Sequence, residues 1–141
     1  SGCYSGMRLQ RAIGVLGFAL ACQTSGTLVP DTTAAGTIML EIGESVPLAG
    51  AGLVFNGVGE DSRCPAGFMC VWAGNAAVQF SIRKARIFES RTINTALDPR
   101  VLDYNGMRVT IVSLVPLPKS GLPIDKSKYV VEIRIAPIAS P

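Results

Sequence analysis

The chain of 141 residues contains no histidine. That absence removes His-based catalytic triads together with the common His-containing zinc and haem sites. Charge is also scarce. Asp, Glu, Lys and Arg make up 16% of the chain against 48% hydrophobic residues, a balance low in charge for a cytosolic protein of this size. The formal net charge of +3 is nothing like the basic footprint of a nucleic-acid binder, and no nucleic-acid partner is expected. The apolar run from Ala12 to Cys22 stops at eleven residues, whereas a membrane-spanning helix needs about 20. What the chain has instead is 15 glycines and nine prolines spread along its length. That spread suits many short strands joined by turns and suits long helices poorly. The length leaves room for one domain with a respectable core. Carboxylate, thiol, hydroxyl and lysine chemistry remain possible; no catalytic motif, metal site or cofactor site is evident.

The segment MRLQRAIGVLGFALACQTSG, from Met7, has the layout of an export signal. Arg8 and Arg11 form a positive region, the apolar run follows, and small Ala21 precedes Cys22. ALAC resembles the lipobox of bacterial lipoproteins, with Ala19 and Leu20 in swapped order. The resemblance implies that Cys22 is lipidated and becomes the mature N-terminus, with residues 1–22 as leader; SGCYSG, residues 1–6, has no place in an export signal and reads as an upstream extension. Without the leader, 11 basic residues face 10 acidic ones, a net charge of +1. Gln23 in place of aspartate after the cysteine implies an outer-membrane lipoprotein facing the periplasm; a secreted protein is the alternative. Residues 23–36 are small, polar and interrupted by Pro30. They read as a flexible tether with a root-mean-square span of roughly 20 Å.

From Thr37 the hydrophobic period is two. Ile38, Leu40 and Ile42 share one face, and Val78, Phe80 and Ile82 alternate with Gln79, Ser81 and Arg83. Val109 and Ile111 oppose Arg108 and Thr110, while Tyr129, Val131, Ile133 and Ile135 face inward with Glu132 and Arg134 outward. Weaker strand signals cover Leu53–Val58 and Phe88–Ala96. Half-wet alternation predicts antiparallel strands. About seven of them over residues 37–141 predict a β-sandwich, with a small β-barrel as the alternative. Asn105-Gly106 carries the strongest hairpin signal, and the proline-rich stretch PLPKSGLPI predicts a long loop feeding the last strand.

The densest chemistry lies in DSRCPAGFMCVWAG, residues 61–74. An exported chain meets an oxidising compartment, so Cys64 and Cys70 are expected to form a disulfide. Strand character is expected to resume at Val71-Trp72-Ala73, with Trp72 packed on the bridge or the core edge and Asp61 bonded to loop backbone or to Arg63. Two other readings stay open. In one, the loop presents Asp61, Arg63 and Trp72 to a partner, since Trp and Arg dominate interface hot spots. In the other, a cysteine is a reactive thiol, although the helical C-x-x-C setting of oxidoreductases is missing.

The block GEDSRCPAGFMCVWAGNAAVQFSI resembles a family of uncharacterised bacterial secreted proteins and lipoproteins marked by DSRCP…CxWAG. The segment MRVTIVSLVPLPKSGLPIDKSKYVVEIRI is similar to that family's closing part, so the likeness covers roughly residues 37–136. It implies export and the same fold and supplies no function.

Other constellations are weak. Glu60 and Asp61 would point to opposite faces of a strand. Glycines 52, 57 and 59 have no following helix and so make no phosphate loop. Ser62 and Ser113 have no histidine, which leaves only a Ser–Lys dyad conceivable. The sequence thus predicts a non-enzymatic, lipid-anchored envelope module, attached to the membrane through its N-terminus and open to an envelope protein partner. An inhibitor or ligand-binding domain using loop 61–74 is the second reading. A Ser/Lys or carboxylate enzyme is the third.

Overall fold

A computed structural model describes residues 36–139; the leader, Cys22 and the tether up to residue 35 lie outside the described residues. Within them the chain forms eight strands: β1 (Thr37–Glu41), β2 (Ser45–Leu48), β3 (Ala51–Asp61), β4 (Ala76–Lys84), β5 (Ile87–Asn94), β6 (Val101–Tyr104), β7 (Met107–Val115) and β8 (Val130–Pro137). They build two four-stranded sheets with orders β1-β8-β7-β6 and β2-β3-β4-β5, and every pairing is antiparallel. The fold is therefore an antiparallel β-sandwich.

The alternating residues explain why the sheets face each other. Val78, Phe80 and Ile82 of β4 and Val131, Ile133 and Ile135 of β8 are all buried, as is Tyr129 just before β8. Phe55 and Phe80 meet at the centre with ring centroids 5.8 Å apart and tilted by 44°. Such a pair is worth about 0.5–1.5 kcal/mol beyond its buried area. Around it pack Leu48, Leu53, Ile93 and Val109, all essentially inaccessible to solvent.

Two strands went unanticipated. β2 contains Pro47, which cannot donate to a ladder and hides the strand signal; its place at a sheet edge makes the proline tolerable. β6 has four residues, and its only sequence trace is the Asn105-Gly106 turn that follows it. Bulges then reset which residues face inward. In β3 the register slips between Phe55 and Gly57 and again between Val58 and Asp61. In β7 it slips between Ile111 and Ser113, so burial passes from Val109 to Leu114. Ile42, expected inward, lies past the end of β1 and is partly exposed.

The second bulge in β3 bears directly on the site. It sets Asp61 opposite Ala76, on the same face as the buried Val58–Val78 pair, and leaves Glu60 outside. Of the two adjacent carboxylates, only Asp61 turns toward the core.

Candidate functional site

At the end of β3 the chain leaves the sheet, runs through residues 62–75 and returns as β4. Its base is fastened by polar contacts. Arg63 donates from Nε to Asp61 Oδ1 at 2.9 Å and from Nη2 to Oδ2 at 2.7 Å, and its backbone N–H also reaches Oδ1 at 3.1 Å. Tyr129 donates its hydroxyl to Asp61 Oδ2 at 2.8 Å. The same guanidinium donates to the carbonyls of Leu114 and Pro116. This clamp ties the end of β3 in one sheet to the end of β7 and the start of β8 in the other. The Arg63 and Asp61 side chains are only 10% and 8% exposed.

Burial pushes the Asp61 carboxyl up, but the bonds from Arg63 and then Tyr129 outweigh it, and the group sits below its ordinary value of 3.8. Burial and the adjoining Asp61 carboxylate push the Tyr129 hydroxyl up to about 12. Asp61 is thus ionised and accepts four hydrogen bonds, which fills its acceptor sites. A carboxylate so occupied is a fastening, with no lone pair free to take a proton from a substrate.

The other end of the loop is held by Gly74 and Asn75, which the sequence did not single out. Gly74 has φ +69°, and a Cβ there would lie 1.9 Å from the Ser62 carbonyl oxygen. Only glycine lets the two limbs of the loop approach this closely. The limbs are joined by Ser62 N–H to the Asn75 carbonyl at 2.7 Å and by Cys64 N–H to the Ala73 carbonyl at 3.2 Å. The Asn75 side chain accepts from the backbone of Ala96 and donates to Asn94 Oδ1, so it also fixes the turn after β5. A Gly-Asn pair just ahead of an alternating strand was the available signal.

Cys64 and Cys70 form a disulfide with Cα atoms 5.9 Å apart. Beyond it the expectation fails. Val71-Trp72-Ala73 is not strand; pairing resumes only at Ala76. Trp72 is 82% exposed, and Phe68, Met69 and Val71 stand in solvent with it. The physical reason is that the core edge at this end is already closed by Tyr129 and the Asp61–Arg63 pair. The bridged ring stands beyond that closure. The loop therefore divides its three singled-out residues: Asp61 and Arg63 are turned inward and bonded, whereas Trp72 faces out.

No family model, curated protein or solved structure matches this chain. What the site can do follows from its own geometry. The tip presents Phe68 and Met69 on the bridged ring and Val71 and Trp72 directly after it, with no charged residue from Cys64 to Asn75. Ala66 N–H donates to the Pro118 carbonyl at 2.9 Å, which brings the proline-rich loop alongside with exposed Leu117 and Leu122. Several exposed apolar side chains carried on one fixed loop are suited to contact with another molecule. The two serines are engaged elsewhere. Ser62 Oγ bonds the backbone of Asn75, and Ser113 Oγ donates to Glu132.

Proposed function

We propose that this protein is an exported, lipid-anchored module of the bacterial cell envelope that acts by binding, with the 61–74 loop as its recognition edge. The DSRCP…CxWAG family of secreted proteins and lipoproteins is its proposed kin. The observation that carries the reading is the exposure of Phe68, Met69, Val71 and Trp72 on a loop whose base is bonded into the sandwich. Exposed apolar side chains on a mobile loop would lose entropy on binding; a disulfide-closed ring has already lost much of it. Anchoring through Cys22 places the domain at a membrane surface, and the disulfide suits the oxidising compartment that such export implies.

The test is photo-crosslinking in intact envelopes, with a benzophenone side chain placed at position 72 and, as control, at Arg86 in the turn between β4 and β5. A discrete adduct is expected from position 72 alone. It should be competed away by excess native domain but not by a domain carrying Met69→Ala and Trp72→Ala. The same extract should yield a chain beginning at lipidated Cys22 by mass spectrometry. Equal labelling from both positions, or no competable adduct, would remove the loop as a binding edge.

A further inference from the structure

A second feature is independent of the loop tip. β6 pairs with β7 from Tyr104–Met107 to Val101–Thr110 and goes no further. Among the described residues, the edge of this sheet beyond Thr110 is β7 itself, whose residues Ile111–Val115 pair with β8 on the other side only. The turn between β6 and β7 fixes where the backbone groups point. Asn105 and Gly106 both have positive φ, 44° and 79°, as in a two-residue type I′ hairpin, so Tyr104 and Met107 exchange both backbone bonds. Alternation makes Leu102–Val109 the next bonded pair. It aims the N–H and C=O of Ile111 at the place a longer β6 would fill.

After the bulge, Leu114 takes over that direction, and its carbonyl accepts there from Arg63. A guanidinium thus stands where a neighbouring strand's N–H would be. Among the described residues, no backbone bond outside the sheet pairings reaches Ile111 or Leu114.

This edge opens into a cleft of about 650 Å³ whose lining includes Ile111, Leu114, Val101, Leu117, Asn94 and Arg100. Arg100 makes no ion pair among the described residues, whereas the charge of Arg63 is matched by Asp61. We infer that the Ile111–Leu114 edge receives an extended peptide segment of a partner protein by strand addition. An apolar side chain of that segment fills the cleft and a carboxylate meets Arg100. Main-chain bonds then supply affinity, and the cleft and the arginine supply selectivity. Pro116 and the Arg63 clamp close the far end of the edge, which limits the added strand to a few residues.

The test combines amide hydrogen exchange with a displayed library of random linear heptapeptides panned on the protein. In the free protein the Ile111 and Leu114 amides should exchange fast, while those of Val131 and Ile133 exchange slowly. Selected peptides should share an apolar residue next to Asp or Glu and should slow exchange at Ile111 and Leu114. Their affinity should fall about tenfold in Arg100→Glu, the scale of a lost interfacial charge contact, and stay unchanged in Trp72→Ala. Slow exchange at both amides without peptide would overturn the inference, and with a dimer in sedimentation it would assign the edge to a second copy. Failure to enrich any peptide would also overturn it. Peptides lost in Trp72→Ala, with the two amides unaffected, would move binding to the loop tip.

Discussion

Replacing Arg63 by methionine is the sharpest test of how this fold is fastened. Its guanidinium makes two bonds to Asp61 and two to backbone carbonyls across the sandwich. Methionine keeps much of the aliphatic volume and removes all four donors. Asp61, 8% exposed, would keep its charge with only the Tyr129 hydroxyl and one backbone N–H as partners. Two carbonyls would lose their donors at the same time. Removing one member of a buried, hydrogen-bonded ion pair costs about 3–5 kcal/mol. For a domain of this size that lowers the melting midpoint by roughly 15–25 °C. Thermal unfolding followed by far-ultraviolet circular dichroism reads it directly, with Arg108→Met as control. Arg108 makes an equally short pair with Asp103, 2.7 Å, but both side chains are more than 40% exposed. Such surface pairs contribute little, and the control midpoint should scarcely move. Arg63→Lys should recover only part of the loss, since one ammonium cannot span Asp61 and both carbonyls. If Arg63→Met and Arg108→Met melt alike, the clamp is not what holds the two sheets at this end.

The same clamp sets a pH window. The Asp61 carboxyl lies below 3.8 when folded, so its stabilisation is complete above that value and fades as pH falls through the folded value; Tyr129 loses its share only as pH rises from 10 through about 12. Asp61→Asn should flatten the acid limb of a stability-against-pH curve, and Tyr129→Phe the alkaline limb. Cys64→Ala with Cys70→Ala should cost about 2.4 kcal/mol by the chain-entropy estimate for so short a ring, measured by urea unfolding with the native spectrum retained. Gly74→Ala should cost at least about 2 kcal/mol, because it adds left-handed strain to a collision with the Ser62 carbonyl. Trp72→Ala should change stability by less than about 0.5 kcal/mol, and native tryptophan emission should already lie at the solvent-exposed wavelength.

Strands with strict alternation were legible because each residue reports its own side of the sheet, as Gln79 and Ser81 do between Val78, Phe80 and Ile82. The bulges were not. A slipped register depends on the partner strand, and nothing local in Val58-Gly59-Glu60-Asp61 announces that Asp61 rather than Glu60 turns inward. The Asp61–Arg63 pairing was readable from its two-residue spacing. Tyr129 lies 68 positions away and reaches Asp61 only through the sandwich, so the third member of the clamp was hidden. Trp72 misled for a related reason. A lone tryptophan favours a core only where the chain carries it inward, and here Trp72 sits in the loop past the end of β3, where the strand pairing has stopped.

Most fastenings of the loop lie outside its covalent ring. Asp61, Arg63, Gly74 and Asn75 carry the buried bonds and the close approach, whereas among the described residues the five between the cysteines send a single backbone bond out of the ring, from Ala66 to Pro118. Substitutions of Phe68 or Met69 therefore change part of what the tip displays without disturbing the Asp61–Arg63 clamp or the Gly74–Asn75 closure that hold it. In evolutionary terms the sandwich is a chassis and the ring an exchangeable cartridge. Divergent descendants of this chain would preserve residues 61, 63, 74 and 75 while their ring sequences drift apart with the surfaces they meet.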